Sequence, residues 1–335
     1  MHALAAVAAQ LGGPVGALAQ IETPSALEKF VNSVLVLGLA GGAVYALIAL
    51  GYVIIYKSSG VINFGQGGFM TVGAFLIYWL AFEVIFDLFD AAAASTWGFW
   101  LACLGALVLT TLLAMLAEWA IIRRMIGQPL FSVVIITLGI EVFLRGGLQT
   151  WFTTSTKAFL NPPFQKPIVL GIFGETIRMR QSQVFACVLA AVALTAFFLF
   201  FRKSRLGVAM RAVAFDQESA QAMGISLGRV FSVSWAMAGA LAAVAAIATS
   251  LGGQVLQVST FGFVALRAFP AAIVGGLDSP GGAVIGGLII GVAEQAAGVY
   301  LPLSNFTQVA AYILMIIVLF VRPYGLFGTP EVIRV

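Results

Sequence analysis

Residues 38–75 read GLAGGAVYALIALGYVIIYKSSGVINFGQGGFMTVGAF. An apolar run ends at Lys57-Ser58-Ser59-Gly60, and a second opens at once with Asn63, Gly65, Gln66, Gly67 and Gly68. A helix that crosses a bilayer needs about 20 mostly apolar residues, so the stretch reads as two consecutive spans joined by a short polar reversal. Amides together with Gly60, Gly65, Gly67 and Gly68 free the backbone to bend at the start of the second span. At membrane depth such backbone is tolerated only where protein buries it or water lines it, and interrupted helices often mark translocation sites. Asn63, Gln66, Gly67 and Gly68 are therefore candidates for the translocation path. The competing reading is that the glycines permit close packing while Asn63 and Gln66 cap a helix end.

The rest of the chain extends this pattern. Of 335 residues, 61% are hydrophobic and only 9% are charged, against about 25% charged in soluble domains. So few polar side chains cannot cover a water-facing surface, and lipid must solvate most of the exterior. The expected fold is all-α, a polytopic transmembrane bundle with about nine spans, some broken or re-entrant; the count could be eight or ten. The spans fall at roughly 34–56, 61–82, 97–122, 131–151, 183–201, 229–250, 261–277, 283–301 and 305–321. They make a permease domain over 32–328, preceded by an extension over 1–31 and followed by a short cytoplasmic tail over 329–335.

Loop cations orient the bundle. With nine alternating spans, Lys57, Arg123, Arg124, Arg202, Lys203, Arg205, Arg211, Arg229, Arg322 and Arg334 share one side. The other side has Lys29, Lys157, Lys166, Arg178 and Arg180, a bias of ten to five. The richer side is expected to be cytoplasmic, with the C-terminus inside. Residues 1–19 are apolar and end Ala17-Leu18-Ala19, a spacing that resembles a signal-peptidase site but lacks a basic n-region; an uncleaved apolar extension or an extra short span is the alternative. The external loop 152–182 carries β-branched and aromatic residues around glycine, from Ile168 to Ile177, a pattern for a small hairpin. The cytoplasmic loop 202–228 reads as an amphipathic helix, with apolar Ala209, Ala212, Val213, Ala220, Met223 and Ile225 among charged and amide residues. It would lie in the lipid interface or dock into a partner's groove.

A second glycine-rich stretch covers Phe269 to Glu294, with seven glycines in the seventeen residues from Gly275 to Gly291. Asp278-Ser279-Pro280-Gly281 is a turn signal. Gly282 to Gly286 and Gly287 to Gly291 each have the small-residue spacing that lets helices approach closely, and Gly275 and Gly276 precede the turn. Close packing is the favoured reading over a substrate contact. Five ionisable residues fall inside spans, where charge is costly: Glu118, Glu141, Arg145, Arg267 and Glu294. Glu141 and Arg145 are four apart and can pair on one helical face; Glu118, near the cytoplasmic end, can reach Arg123 or the interface; Arg267 and Glu294 can pair between neighbouring spans. Structural pairs and proton coupling both remain open.

Chemistry that needs histidine or bound metal is poorly supported, because His2 is the only histidine and the two cysteines, Cys103 and Cys187, lie in apolar spans. Gly-Lys is nowhere followed by Ser or Thr, so the chain has no P-loop. If transport is ATP-driven, another polypeptide hydrolyses the nucleotide. The cations in short loops orient the chain and do not signal nucleic acid.

Tyr45-Ala46-Leu47-Ile48-Ala49-Leu50-Gly51, followed by Ile62-Asn63-Phe64-Gly65-Gln66-Gly67, resembles the LivH-type permeases of branched-chain amino acid ABC importers, where a YALIALG run leads into an INFAHGE-like stretch. Gly65, Gln66, Gly67 and Gly68 stand where that family often has a small residue, His, Gly and Glu, a departure that bears on substrate choice. Residues 211–225 are similar to the family's cytoplasmic coupling loop, Ile273 to Gly287 to its GGLGSIPGAVLGG hallmark, and Arg322-Pro323-Tyr324-Gly325-Leu326-Phe327-Gly328 to its RPRGLFG ending. The resemblance spans about 32–328. It implies two permease chains, this one with a paralogue or itself, two cytoplasmic ATPases that use ATP, and an external solute-binding protein; this chain itself would bind no cofactor. Arg211, Asp216, Glu218, Ala220, Gly224 and Ile225 would form the ATPase-coupling surface, with Gly224 allowing a turn. Branched-chain amino acids, urea, short amides and aromatic acids are the implied solutes. An ion-coupled carrier or channel using the buried carboxylates is the alternative.

Overall fold

A computed structural model describes residues 25–85, 96–125, 127–152, 157, 163–172, 175–252, 256–301 and 306–329. The signal-like segment 1–19, Arg334 and the tip of the external hairpin lie outside the described residues. Among the described residues, nine apolar helices stand where the nine spans were expected: α1 (Ala26–Ser59), α2 (Gln66–Val84), α3 (Thr96–Ala120), α4 (Leu130–Phe152), α5 (Gln181–Lys203), α8 (Leu227–Leu251), α9 (Val258–Gly275), α10 (Pro280–Tyr300) and α11 (Phe306–Val321). Seven have the length and hydropathy to cross a bilayer, while α9 and α11 are shorter. Two short helices, α6 (Arg205–Phe215) and α7 (Gln217–Ala222), link α5 to α8.

α1 starts eight residues before the expected span. Ser25 caps it by accepting from the Glu28 N–H at 3.0 Å, and a π-helical segment over Phe30–Val36 carries it into the regular helix. Every residue of α1 from 42 to 55 is buried, as expected for a helix that is apolar all round and sits at the centre of a bundle. α5, α8, α9 and α10 surround it. By contrast α3, α4, α5 and α11 expose rows of large apolar side chains, among them Leu104, Phe143, Val192 and Phe320. In a bilayer these rows face lipid or another protein.

Glycine sets the closest approaches. A Cβ on Gly291 would strike the Gly38 carbonyl and the Gly42 backbone, and one on Gly287 would strike the Ala46 backbone. Gly286 meets Ala271, and Gly275 meets Gly282, so α10 presses on both α1 and α9 through bare backbone. The turn after α9 is closed by the segment following α11. Leu326 and Phe327 donate their N–H groups to the Val274 and Gly275 carbonyls at 2.8 and 3.1 Å, filling acceptors that a helix end leaves open. Gly276 and Gly325 both have positive φ, at 105° and 81°; a Cβ on Gly325 would strike the Gly276 backbone, and one on Gly276 the Gly328 backbone. Asp278 accepts from the Thr329 N–H at 2.9 Å, and its own carbonyl accepts from Lys57 at 2.8 Å. The turn after α9 and the Arg322–Gly328 segment are thus halves of one clasp. Inside α9, Pro270 has no N–H for the Leu266 carbonyl; the Tyr312 hydroxyl on α11 donates to it instead at 3.2 Å.

The expected hairpin is present as β1 (Pro167–Ile172) and β2 (Glu175–Arg180), antiparallel with Ile168 opposite Met179. The expected single amphipathic helix is broken in two at Asp216, whose backbone is extended at φ −157°. Its side chain starts α7 afresh by accepting from Ser219.

Replacing Gly291 by Ala should lower the thermal midpoint of the detergent-purified chain by an overpacking cost of about 1–3 kcal/mol, read by scanning fluorimetry. Gly281→Ala, where a Cβ meets nothing, should leave the midpoint unchanged.

Candidate functional site

The bundle has two distinct ends. At the hairpin end a cavity of about 570 Å³ opens among the ends of α1, α5, α8, α9, α10 and α11. Tyr45, Arg267 and Glu294 line it. The Tyr45 hydroxyl donates to Glu294 Oε2 at 2.6 Å, while Oε1 of the same carboxylate, which is only 3% exposed, has no hydrogen-bond partner. Arg267 is half-buried and interacts electrostatically with both Tyr45 and Glu294. The expected ion pair between Arg267 and Glu294 is not formed among the described residues; the carboxylate's close partner is the tyrosine hydroxyl. Tyr45 entered the sequence reading only as the start of the Tyr45–Gly51 run, and nothing there tied it to Glu294, 249 residues away.

The residues singled out around the break between α1 and α2 lie inside the protein. α1 ends at Gly60 with φ 73°. Asn63 and Gln66 are fully buried. Asn63 accepts from the Gly65 N–H at 3.0 Å and Gln66 donates to the Ala238 carbonyl at 3.0 Å, while Asn63 Nδ2 and Gln66 Oε1 lack partners. Glu141 on α4 accepts from the Gly68 N–H, so a carboxylate from another helix caps α2, where the helix dipole favours negative charge. Cβ atoms on Gly67 or Gly68 would crowd that carboxylate. Glu141 also pairs with Arg145 at 2.6 Å, and Gly262 leaves the space that the Arg145 guanidinium occupies. Because Glu141 lies eleven residues into α4, about 16 Å at 1.5 Å per residue, α2 begins well within the bundle. The interruption is at depth, enclosed by protein. Asn63, Gln66, Gly67 and Gly68 line none of the described cavities.

Glu118, fully buried, pairs with Arg123 at 3.1 Å and accepts from Ser232 at 2.6 Å. Arg123 also donates to the Gly228 carbonyl. This knot ties the end of α3 to the start of α8.

The α6–α7 end carries a second cavity, of about 810 Å³, between α6, the α9–α10 turn and the end of α11. Arg211 donates to the Phe201 carbonyl at the end of α5 and stacks over the Phe201 ring, 5.4 Å from its centroid. Gln217 donates to the Ser58 carbonyl at the end of α1 at 3.1 Å. Ala220 is buried and Ile225 half-buried, whereas Asp216, Glu218 and Gly224 face outward. Gly224 turns the chain with φ 84°. Phe215 and Met223 flank α7 at 94% and 84% exposure. The Ser219 N–H, then its hydroxyl, hold the Asp216 carboxyl below the usual carboxylate range.

Residues 34–319 match the family described as the permease component of branched-chain amino acid transport systems. The high-affinity branched-chain amino acid transport system permease protein LivH of Salmonella typhimurium is 32% identical over 310 residues, covering 89% of this chain and 96% of its own. BraD of Pseudomonas aeruginosa, which carries the same description, is 32% identical over 318 residues, covering 92% and 98%. The nucleoside ABC transporter permease protein NupC of Lactococcus lactis is 27% identical over 287 residues, covering 78% and 84%.

Arg123→Ala leaves the buried Glu118 carboxylate with Ser232 alone. It should cost about 3 kcal/mol, the low end for breaking a buried pair because Arg123 is 39% exposed, read as a fall in thermal midpoint. The Asp216 cap has a folded pKa below its unfolded value. Its contribution is therefore complete above about pH 4 and is lost as pH falls through the folded value. At pH 7, Asp216→Ala should speed amide exchange across α7, while Asp216→Asn, also a good cap, should keep it protected.

Proposed function

This chain belongs to the family of permease components of branched-chain amino acid transport systems, and from that premise we propose how it works. It is the membrane-spanning permease subunit of an ABC importer. Its cargo is branched-chain amino acids or related small polar solutes, a class that the relative named for nucleosides widens. The α6–α7 end, rich in Lys and Arg, faces the cytoplasm of a bacterial inner membrane with the C-terminus. The hairpin end receives solute from an external binding protein. A second permease chain, paralogue or copy, completes the path, and two cytoplasmic ATPases supply the ATP chemistry for which this sequence has no P-loop.

The observation that carries the coupling role is the mounting of α6 and α7. Exposed Phe215 and Met223 present apolar side chains beyond the bundle, suited to a groove on an ATPase. Arg211 and Gln217 tie the same pair to the ends of α5 and α1. A displacement of α7 is thereby delivered to the central helix and to one flank of the hairpin-end cavity. The ion-coupled alternative loses two of its three buried carboxylates, because Glu118 is taken up by Arg123 and Ser232, and Glu141 by Arg145 and the α2 terminus; only Glu294, hydrogen-bonded to Tyr45, is left to it.

P-loop ATPases should co-purify with the tagged chain from native membranes in mild detergent, identified by mass spectrometry. The double variant Glu218→Arg, Gly224→Asp should lose them while remaining monodisperse. Absence of any ATPase from the parent, even after crosslinking in intact membranes, overturns the importer reading.

A further inference from the structure

We infer that the hairpin-end cavity binds its solute as a zwitterion, the solute's ammonium on Glu294 and its carboxylate on Arg267. This rests on the importer reading above and deepens it, by assigning a recognition site to the permease itself.

The site is built but incomplete. Glu294 is almost wholly enclosed, and Tyr45 fixes one carboxylate oxygen in place. The other oxygen has no donor among the described residues, although buried polar atoms are nearly always satisfied. Arg267 lines the same cavity from α9 and makes no ion pair with Glu294. One carboxylate and one guanidinium, in electrostatic contact but without a direct ion pair, therefore border the same space. The species that completes both carries a compact N–H cation and a carboxylate a few atoms apart, which describes an α-amino acid. A guanidinium takes a carboxylate in a two-pronged, charge-assisted pair, and an ammonium's three donors suit a lone carboxylate oxygen. Val44, Phe263 and Val264 give the cavity an apolar wall for a hydrocarbon side chain. At about 570 Å³ the space lies within the usual range for small-molecule sites.

The same charges set specificity. A neutral amide or urea leaves both protein charges unpaired, and a simple carboxylate leaves Glu294 unpaired. A site rejects most strongly those analogues that strand its buried polar groups. The permease would then check the two charged groups of a solute after an external protein has chosen it by shape.

The test is substituted-cysteine protection in the assembled transporter. Thr260, which lines the cavity, is changed to Cys in a background with Cys103→Ala and Cys187→Ala, and labelled by a membrane-impermeant thiosulfonate. L-Leucine at about 10 mM should slow labelling about tenfold for a site with a Kd of about 1 mM. Leucinamide, which lacks the carboxylate, and 4-methylpentanoate, which lacks the ammonium, should not. Glu294→Gln or Arg267→Gln should abolish protection by L-leucine, and Arg267→Lys should restore part of it. Equal protection by the three compounds, protection that survives both neutral variants, or no protection by L-leucine overturns the proposal. ATPase co-purification from the same preparations separates the two readings: ATPases retained without protection sinks the zwitterion site alone, whereas their absence from the parent sinks the importer reading.

Discussion

The backbone contact between α1 and α10 is the constraint on which the rest of the bundle depends. Between helices in lipid there is little hydrophobic driving force, so association relies on close van der Waals packing and interhelical hydrogen bonds. Gly42, Gly287 and Gly291 supply the packing by removing side chains where the two helices meet. Tyr45 and Glu294, on the same two antiparallel helices, supply the hydrogen bond. α9 joins through Gly286 and Gly275, and the clasp behind it holds the turn between α9 and α10. Moving α10 outward by one methyl group would separate the two walls of the hairpin-end cavity and the turn that borders the other one.

Much of this architecture is legible in the sequence, because bilayer thickness imposes a length and a polarity on every span. The nine helices, the hairpin and the local charge pairs Glu118–Arg123 and Glu141–Arg145 all follow from spacing within one segment or from its composition. What spacing cannot reveal is contact between segments. The capping of α2 by Glu141 joins residues 73 apart, and the Asp278–Thr329 bond joins residues 51 apart. Arg267 and Glu294 look like a natural pair by charge and by span order, yet the tyrosine that intervenes comes from the first helix. The break at Asp216 was hidden for a different reason: amphipathic periodicity continues through it, and only a capping side chain marks the restart.

The two ends of the molecule are joined by the same few helices. α1 reaches the α6–α7 pair through Ser58 and borders the opposite cavity through Val44 and Tyr45. α9 has Arg267 in one cavity and Ile273 beside the other. Neither helix needs to bend for an event at one end to be felt at the other, since a tilt of a rigid rod moves both of its ends. The Glu118–Arg123–Ser232 knot fixes α3 to α8, which gives such a tilt a stationary frame.

The enclosed position of α1 also bears on how the molecule is made. Its principal neighbours, α8, α9 and α10, lie some two hundred residues later in the chain. During synthesis the central helix therefore enters the membrane before these walls are made, with Gly38 and Gly42 facing lipid or the insertion machinery until α10 arrives. Helices that insert independently and associate afterwards tolerate this order, but the interval leaves a small-residue face open to wrong neighbours. Correct assembly then depends on timing as well as on stability, and a ribosome that stalls before α10 would leave behind a core helix with nothing to be the core of.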